Sequence, residues 1–427
     1  MARAELSGPS TGSGESVPEP VDGHVPTSVL SRLVGSDVAE FATRHWGREP
    51  LLRRTGGDFG DLLDLDGVDE MLSRRGLRTP FLRLARDGAV VDSRSFTGGA
   101  GVGAEIGDQV RDDRVAALFA EGSTIVLQGL HRIWPAIIDF TTRLTGELGH
   151  PAQVNAYITP PSSQGFSAHY DVHDVFVLQA AGRKRWKVHA PVHPSPLRDQ
   201  PWGEHADAVA GRARDDAPVI DEVLAPGDVL YLPRGWLHSA TALGDVSAHL
   251  TVGVHVITAF ALVEALTALA GSEERLRKSL PLGIDVADPS LLEAHVESVR
   301  EDLIAALRAV PGDAVARHVR DRTWRGNRPE PLAPIATARF VLGLGDGDSV
   351  RRRDGLRFRI GGPADGRIVL ELPDRRLSLP ASTSTALAAL LDGRTWRLGE
   401  IPGMDRADQL VLVRRLLREG VLMASTA

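Results

Sequence analysis

The feature that most limits what this chain can fold into is a succession of short apolar segments between residues 124 and 256. Residues 125–127, 154–159, 175–179, 186–188, 229–232 and 246–256 are rich in Val, Ile, Leu and aromatic side chains, with Gly, Pro, Asp and Asn between them. Segments this short make poor helices, and many of them separated by turn residues are the pattern of a β-barrel or sandwich. Helical signals flank this stretch. Residues 28–54 read as a helix leading into Phe41, Trp46 and Pro50-Leu51-Leu52, followed by a charged region of mixed helix and loop. Beyond Thr258 the period changes: Leu292, Val296, Val299, Leu303, Leu307 and Val310 recur at three and four residues and form one apolar stripe. Such a stripe either packs on its own domain or makes a dimer interface. Residues 325–334, rich in Pro and Arg, read as a linker. After it, 381–391 and 407–417 read as two short helices, with Gly420 placed to cap the second before the strand-like Val421-Leu422-Met423. The expected plan is a tail over 1–27, a β-rich domain over 28–257, a helical segment with linker over 258–330, and a small winged-helix-like domain over 331–427.

At 427 residues the chain exceeds a single compact core, which agrees with that division. No apolar run approaches the roughly 20 residues of a membrane span, so an integral membrane protein is not expected. The first 27 residues are rich in Ser, Gly and Pro and lack the apolar centre of a signal peptide, so a disordered tail and a cytoplasmic location are expected. The absence of cysteine excludes disulfides, thiolate zinc sites, iron–sulfur clusters and a cysteine nucleophile. Any metal must therefore sit on His and carboxylate. A formal charge of -7 argues against a surface adapted throughout to nucleic acid, although one basic patch on one domain remains open.

The densest chemistry lies in Ser167-Ala168-His169-Tyr170-Asp171-Val172-His173-Asp174, four potential ligands in six residues ahead of an apolar run. In extended chain, residues i and i+2 point to one side, so His169 and Asp171 can converge on one ion. His238 is the best third ligand. It follows the turn Pro226-Gly227-Asp228, the apolar run 229–232 and a second turn, Pro233-Arg234-Gly235-Trp236. Two histidines and one carboxylate leave three positions open, the facial triad of non-haem Fe(II) oxygenases. His-x-Asp alone is a weak signal, and Asp171 with His173 forms a competing i, i+2 pair. His131, His189, His193, His205 and His255 show no convergent partner and read as surface or satisfied core residues.

Three of the 49 basic residues are Lys. Residues 174–180 read as a strand that turns at Ala181-Gly182-Arg183; on the return, Lys184, Trp186 and Val188 share one face and Arg185, Lys187 and His189 the other. Lys184 thus points with the apolar residues. A buried ammonium needs an anionic partner. It either pairs with an internal Asp or Glu or binds an anionic ligand, and the distal carboxylate of 2-oxoglutarate fits that description. Lys187 is expected to be only a solvated charge. All three tyrosines, Tyr157, Tyr170 and Tyr231, fall in this region. On residues 153–159 polar and apolar side chains alternate, and the pattern leaves open which face looks inward.

The run Gln153-Val-Asn-Ala-Tyr-Ile-Thr-Pro-Pro, Gln164-Gly-Phe, His169-Tyr-Asp171, Asp174-Val-Phe-Val-Leu-Gln179, Gly182-Arg-Lys184-Arg-Trp186 and Pro226-Gly-Asp-Val-Leu-Tyr-Leu-Pro-Arg-Gly-Trp-Leu-His238 resembles the JmjC-type ribosomal oxygenases over roughly residues 41 to 256. The resemblance implies a double-stranded β-helix core, the cupin or jelly-roll barrel, with flanking helices, a helical dimerisation segment and a C-terminal winged-helix domain. It implies Fe(II) on His169, Asp171 and His238, the 2-oxoglutarate carboxylate on Lys184, and Asn155, Tyr157 and Thr251 facing the site. The reaction implied is hydroxylation of an Arg or His side chain of a ribosomal protein by O₂, with 2-oxoglutarate converted to succinate and CO₂. A homodimer is implied as well. His173 departs from the pattern, since relatives carry an apolar or aromatic residue there.

Two other classes stay in view. One is a cupin-type metal enzyme, or an oxygenase acting on a small molecule or biosynthetic peptide. The other is a regulator whose winged helix binds DNA and whose barrel is a sensor. Lys184 separates the protein hydroxylase from a cofactor-free cupin, and an intact triad counts against a relic barrel. Winged helices also serve as protein-binding modules, so specific DNA binding is not expected from that domain alone.

Overall fold

A computed structural model describes residues 28–425 apart from 87, 162, 164–166, 325 and 327. The expected tail and the Gln164-Gly165-Phe166 part of the motif lie outside the described residues.

The β-rich region forms one nine-stranded sheet. Its strands are β1 (Leu51–Arg53), β2 (Leu82–Arg86), β3 (Ala89–Val90), β4 (Thr124–Leu127), β5 (Ala152–Thr159), β6 (Asp174–His189), β7 (Ile220–Leu224), β8 (Val229–Leu232) and β9 (Leu237–Val254). They run in the spatial order β1-β8-β6-β9-β5-β4-β2-β3, with β7 beside the second half of β6. Every pairing in this sheet is antiparallel. The two long strands carry the architecture. β6 pairs with β8 along its first half, with β7 along its second, and with β9 along both.

The hairpin expected at 181–183 is absent: β6 is continuous from Asp174 to His189. The chain bends there instead of reversing. Gly182 has φ +61, and a Cβ at that position would lie 2.1 Å from the carbonyl oxygen of Val246. Only glycine accepts both conditions. Opposite it, β9 slips register between Leu243 and Ala248 and again before His249. The irregularity changes which parity faces inward. In the first half of β6, Phe176 and Leu178 join the core against the helices, while Val175 and Val177 pack with Leu230 and Leu232; after the bend it is Trp186 and Val188 that join Val175 and Val177. Lys184 points inward with them and Arg185 and Lys187 point outward, as the local alternation predicts.

The main core lies between the sheet and its flanking helices. Val154, Ala156, Ile158, Leu250, Val252 and Val254 pack against Leu33 of α1 (Val29–Val34) and Ile137, Phe140 and Leu144 of α2 (Pro135–Leu148). The expected helix over 28–54 is broken. α1 stops at Gly35, whose φ is +98, two further short helical turns end at His45, and the segment finishes as strand β1. Pairing with β8 wins over local propensity there, because Leu51 and Leu52 gain a sheet edge that a helix would not give them.

Beyond the sheet come α3 (Ala259–Ala270), α4 (Pro289–Ala309) and α5 (Gly312–Trp324). The apolar stripe of α4 is partly covered in the single chain: Val296 and Val299 are exposed, Leu292, Leu303, Leu307 and Val310 are half-buried, and Ala306 is the helix's buried residue. Residues 334–425 build a separate core from α6 (Pro334–Gly343), α7 (Ser384–Leu390), α8 (Arg406–Arg418) and two three-stranded sheets, with Val350, Leu370, Leu387, Val413 and Leu416 at its centre. Gly420 follows α8 at φ +65 and leads into the strand Leu422–Ser425, where the expected cap and β edge fall.

Candidate metal centre

Two pieces of backbone place the ligands. The segment before β6 lies against the start of β9 through an antiparallel bridge, His169 N to His238 O at 3.2 Å and His238 N to His169 O at 2.8 Å. Gly235 N donates to Asp171 O at 3.0 Å, which fixes the turn ahead of His238. That turn is held from below as well. Buried Asp174 accepts from the Tyr231 hydroxyl at 2.5 Å and from Arg234 N at 3.0 Å. Asp174, counted among four potential ligands by its spacing, is therefore occupied as a support for the turn.

Among the described residues, one group of three or more His and acidic side chains could hold a metal: His169, Asp171 and His238, whose ligand atoms all lie within 4.8 Å of one another. The imidazole rings of His169 and His238 are 4.4 Å apart, and His238 Nε2 is 3.6 Å from Asp171 Oδ2. Each ring is oriented by its other nitrogen. His169 Nδ1 lies 2.8 Å from Ser167 O, and His238 Nδ1 lies 3.1 Å from Trp236 O. A carbonyl can only accept, so each Nδ1 carries the hydrogen and each Nε2 keeps a lone pair for an ion. Burial, with His169 beside it, holds His238 down to about 4, so it is neutral at physiological pH. Burial works to raise Asp171, but His238, His173 and His169 together outweigh it and keep the carboxyl below its ordinary value. His173 belongs elsewhere: its ring packs edge-on to His255 and beside Gly253, with Nε2 3.5 Å from Gln153. The Asp171 and His173 pair does not form the cluster.

The triad opens into a cavity of about 320 Å³ whose lining includes Tyr157, Lys184, Trp186, His249 and Thr251. Lys184 is 3% exposed, and its Nζ donates to Thr159 Oγ1 at 3.0 Å. No carboxylate lies within ion-pair distance of it among the described residues, so the internal Asp or Glu partner is not found there. Burial alone pulls its pKa from 10.5 to about 7. Lys187 is exposed, on the outward face. Tyr157 and Thr251 line the cavity, and burial pushes the Tyr157 phenol above its ordinary value. Asn155 shares the Tyr157 face of β5 but is not part of the lining, because its Oδ1 accepts from Gly129 N at 3.0 Å, at a left-handed turn. Trp186, which alternation places on the Lys184 face, lines the cavity too, as do His249 and Arg83, which spacing did not single out. His249 sits two residues before Thr251 on the same strand face, which is the signal that was present.

Residues 137–262 match the JmjC domain family. The chain is 29% identical over 340 residues to the bifunctional lysine-specific demethylase and histidyl-hydroxylase NO66 of Drosophila persimilis, covering 74% of this chain and 46% of that protein. It is 30% identical to ribosomal oxygenase 1 of Rattus norvegicus, covering 73% of this chain and 58% of that one. The chain thus spans about half the length of these curated relatives. Among solved structures, the ribosomal oxygenase YcfD of Escherichia coli in complex with cobalt and 2-oxoglutarate is similar over 92% of this chain and 99% of its own, with TM-score 0.52 and 17% identity, a likeness of fold. The β-rich core is thus of the JmjC, cupin-like type, and the chain is similar to the JmjC-domain ribosomal oxygenases.

Proposed function

We propose that this chain is an Fe(II)- and 2-oxoglutarate-dependent dioxygenase that hydroxylates an Arg or His side chain of a ribosomal protein. The observation that carries the reading is the meeting, in one cavity, of a two-histidine, one-carboxylate face and a buried ammonium with no carboxylate partner among the described residues. The donor set fits the ion. Two histidines with oriented Nε2 lone pairs and one ionised carboxylate suit a borderline divalent metal and leave part of its coordination sphere open. Bound Fe(II) with 2-oxoglutarate and O₂ would supply the oxidising chemistry, 2-oxoglutarate leaving as succinate and CO₂.

The protein's own share is binding and exclusion. Lys184 gives the distal carboxylate of 2-oxoglutarate a charge-assisted partner, and the Thr159 hydroxyl holds the ammonium in place. Tyr157 and Thr251 shape the wall between carboxylate and metal, and Val175, Val177 and Trp186 keep water from it. Asn155 acts at one remove, by holding the Gly129 turn. Trp202, 37% exposed and 6.3 Å from the His169 ring, stands on the solvent side, where a substrate side chain would arrive. The names of the fly and rat relatives and the cobalt and 2-oxoglutarate complex of the bacterial structure support the same reading.

The homodimer is supported by Phe260, Leu262 and Val263 on α3 and Leu291, Val296 and Val299 on α4, large apolar side chains exposed together in the segment expected to pair. We assign residues 331–427 to a winged-helix-like module that contacts protein, in line with its short helices and β edge. No helix among the described residues is long and apolar enough to cross a membrane, and a ribosomal target is in keeping with a cytoplasmic protein. The test is anaerobic loading with Fe(II) and 2-oxoglutarate, then O₂, with intact-mass analysis of the host's ribosomal proteins. Gain of one oxygen atom on one protein is expected; no gain on any, with 2-oxoglutarate consumed only when a small molecule is added, would favour the small-molecule oxygenase.

A further inference from the structure

Three polar side chains on the cavity wall have more hydrogen-bonding capacity than partners. Lys184 Nζ carries three N–H when charged and has one acceptor, Thr159 Oγ1. Trp186 Nε1 is buried with no partner. His249 is 4% exposed, and its Nδ1 is buried with no partner. A buried polar atom left unsatisfied is costly, and two such atoms beside an ammonium with N–H to spare point to a ligand that supplies acceptors.

The three belong to one place. His249 pairs across the sheet with Tyr157 and stacks on its ring at 5.1 Å, with 5° between the planes. It meets Trp186 edge-on at 5.3 Å, and the charge of Lys184 bears on it. All four side chains line the same cavity. The stack and the edge contact fix the imidazole on two sides, so it has little freedom to turn toward another partner. The one acidic side chain among the described lining residues is Asp171, which faces the two ligand histidines. No carboxylate of the described lining meets these groups, and a bound anion would supply the missing acceptors. A carboxylate against Lys184 brings two oxygens with about four lone-pair positions, more than one ammonium uses.

Resting on the functional reading above, we propose that His249 is a co-substrate-positioning residue, its imidazole N–H donating to the carboxylate that Lys184 neutralises. The stack on Tyr157 sets the ring plane, and the hydrogen bond selects a ligand with an acceptor at that depth. His249 touches no metal ligand through a hydrogen bond, so its contribution is to the organic anion and not to the ion.

The experiment titrates 2-oxoglutarate, and separately oxalate, into the full-length protein loaded with Mn(II) under nitrogen, by calorimetry. Oxalate can chelate the metal but has no distal carboxylate. Wild type is compared with His249→Phe, which keeps a flat ring without a donor, and His249→Gln, which keeps a donor without the ring. Mn(II) affinity is measured on each by electron spin resonance. The expected result is a loss of about tenfold or more in 2-oxoglutarate affinity for His249→Phe, with oxalate and Mn(II) affinities unchanged and His249→Gln recovering most of the loss. If His249→Phe binds 2-oxoglutarate as wild type does, or if both variants lose equally, the hydrogen bond is not the residue's role. A parallel loss of Mn(II) would make His249 a support of the metal ligands and overturn the proposal. If wild-type protein takes Mn(II) and oxalate but no 2-oxoglutarate, the functional reading fails first and this one with it.

Discussion

Replacing Lys184 by Met should weaken 2-oxoglutarate binding and, at the same time, make the ligand-free protein more stable. The ammonium is buried and its one hydrogen bond is to a neutral hydroxyl, so burial pulls its pKa from 10.5 to about 7. At roughly 1.4 kcal/mol per pH unit, that gap corresponds to about 5 kcal/mol carried by the folded state when the side chain is charged, an upper bound because local relaxation and water reduce it. The sign follows from proton counts. Between pH 7 and 10.5 the unfolded chain binds the Lys184 proton and the folded chain has largely released it, so wild-type stability rises with pH across that window. Below pH 7 both states are protonated and the penalty is at its full value. Met keeps the aliphatic stem and discards the charge. At pH 6.5, Lys184→Met should therefore raise the urea midpoint of the β-rich domain, and the advantage should shrink as pH climbs toward 10.5. Loss of the charge-assisted contact should cost about 1.5 to 3 kcal/mol of 2-oxoglutarate binding, or about tenfold or more in affinity. Calorimetry with Mn(II) under nitrogen and urea unfolding on the same samples measure both. Lys187→Ala, on the outward face, should change neither. A Lys184→Met protein that is less stable at pH 6.5 and binds 2-oxoglutarate normally would refute the assignment.

Other substitutions address the remaining parts. His169→Ala, Asp171→Ala and His238→Ala should each abolish Fe(II) retention and turnover with the circular dichroism spectrum unchanged, whereas His173→Ala should retain iron, since its ring packs toward His255 and Gln153; metal content reversed between Asp171→Ala and His173→Ala would show the ligand set to be wrong. Gly182→Ala places a Cβ 2.1 Å from the Val246 carbonyl oxygen at φ +61 and should destabilise the domain by more than about 2 kcal/mol in urea; a cost under about 0.5 kcal/mol would mean that the two long strands are not bent together there. The full chain should be dimeric by light scattering and a fragment ending at residue 256 monomeric, and a dimer persisting in the fragment would remove α3 and α4 from the interface.

The triad was legible because its parts are local: His169 and Asp171 are two residues apart in extended chain, and His238 follows two turns that bracket one short strand. Lys184 was legible for the same reason, although the turn invoked to reach it is absent. Alternation was counted from Lys184 forward, within the second half of β6, and so survived the change of parity at Gly182. What a linear reading could not supply was the continuity of β6 and β9, which depends on a close approach between Gly182 and Val246 across the sheet. Strand β7, with exposed Asp221 and Glu222, has no clean alternation and was missed; it forms because β6 offers an edge. Asn155 was expected at the site by resemblance, and its face is right, but a backbone amide from a neighbouring turn holds its carboxamide. His249 was overlooked because nothing near it in sequence resembles a ligand motif. Its surroundings are assembled from three strands.

The reciprocal pair of backbone hydrogen bonds between His169 and His238 has a consequence for which ion the protein carries. Ligands joined by main-chain bonds, with both rings anchored through Nδ1, take their spacing from the backbone. Such a socket recognises charge, size and three-point geometry, and divalent manganese, cobalt, nickel and zinc meet those terms as well as iron does. By the usual order of divalent affinities several of them bind nitrogen and oxygen donors more tightly than Fe(II). Selectivity is therefore not built into the cradle. It is delegated to the free-metal levels of the cell, and protein purified from a metal-rich culture should arrive with a mixed cargo whose proportions follow the growth medium.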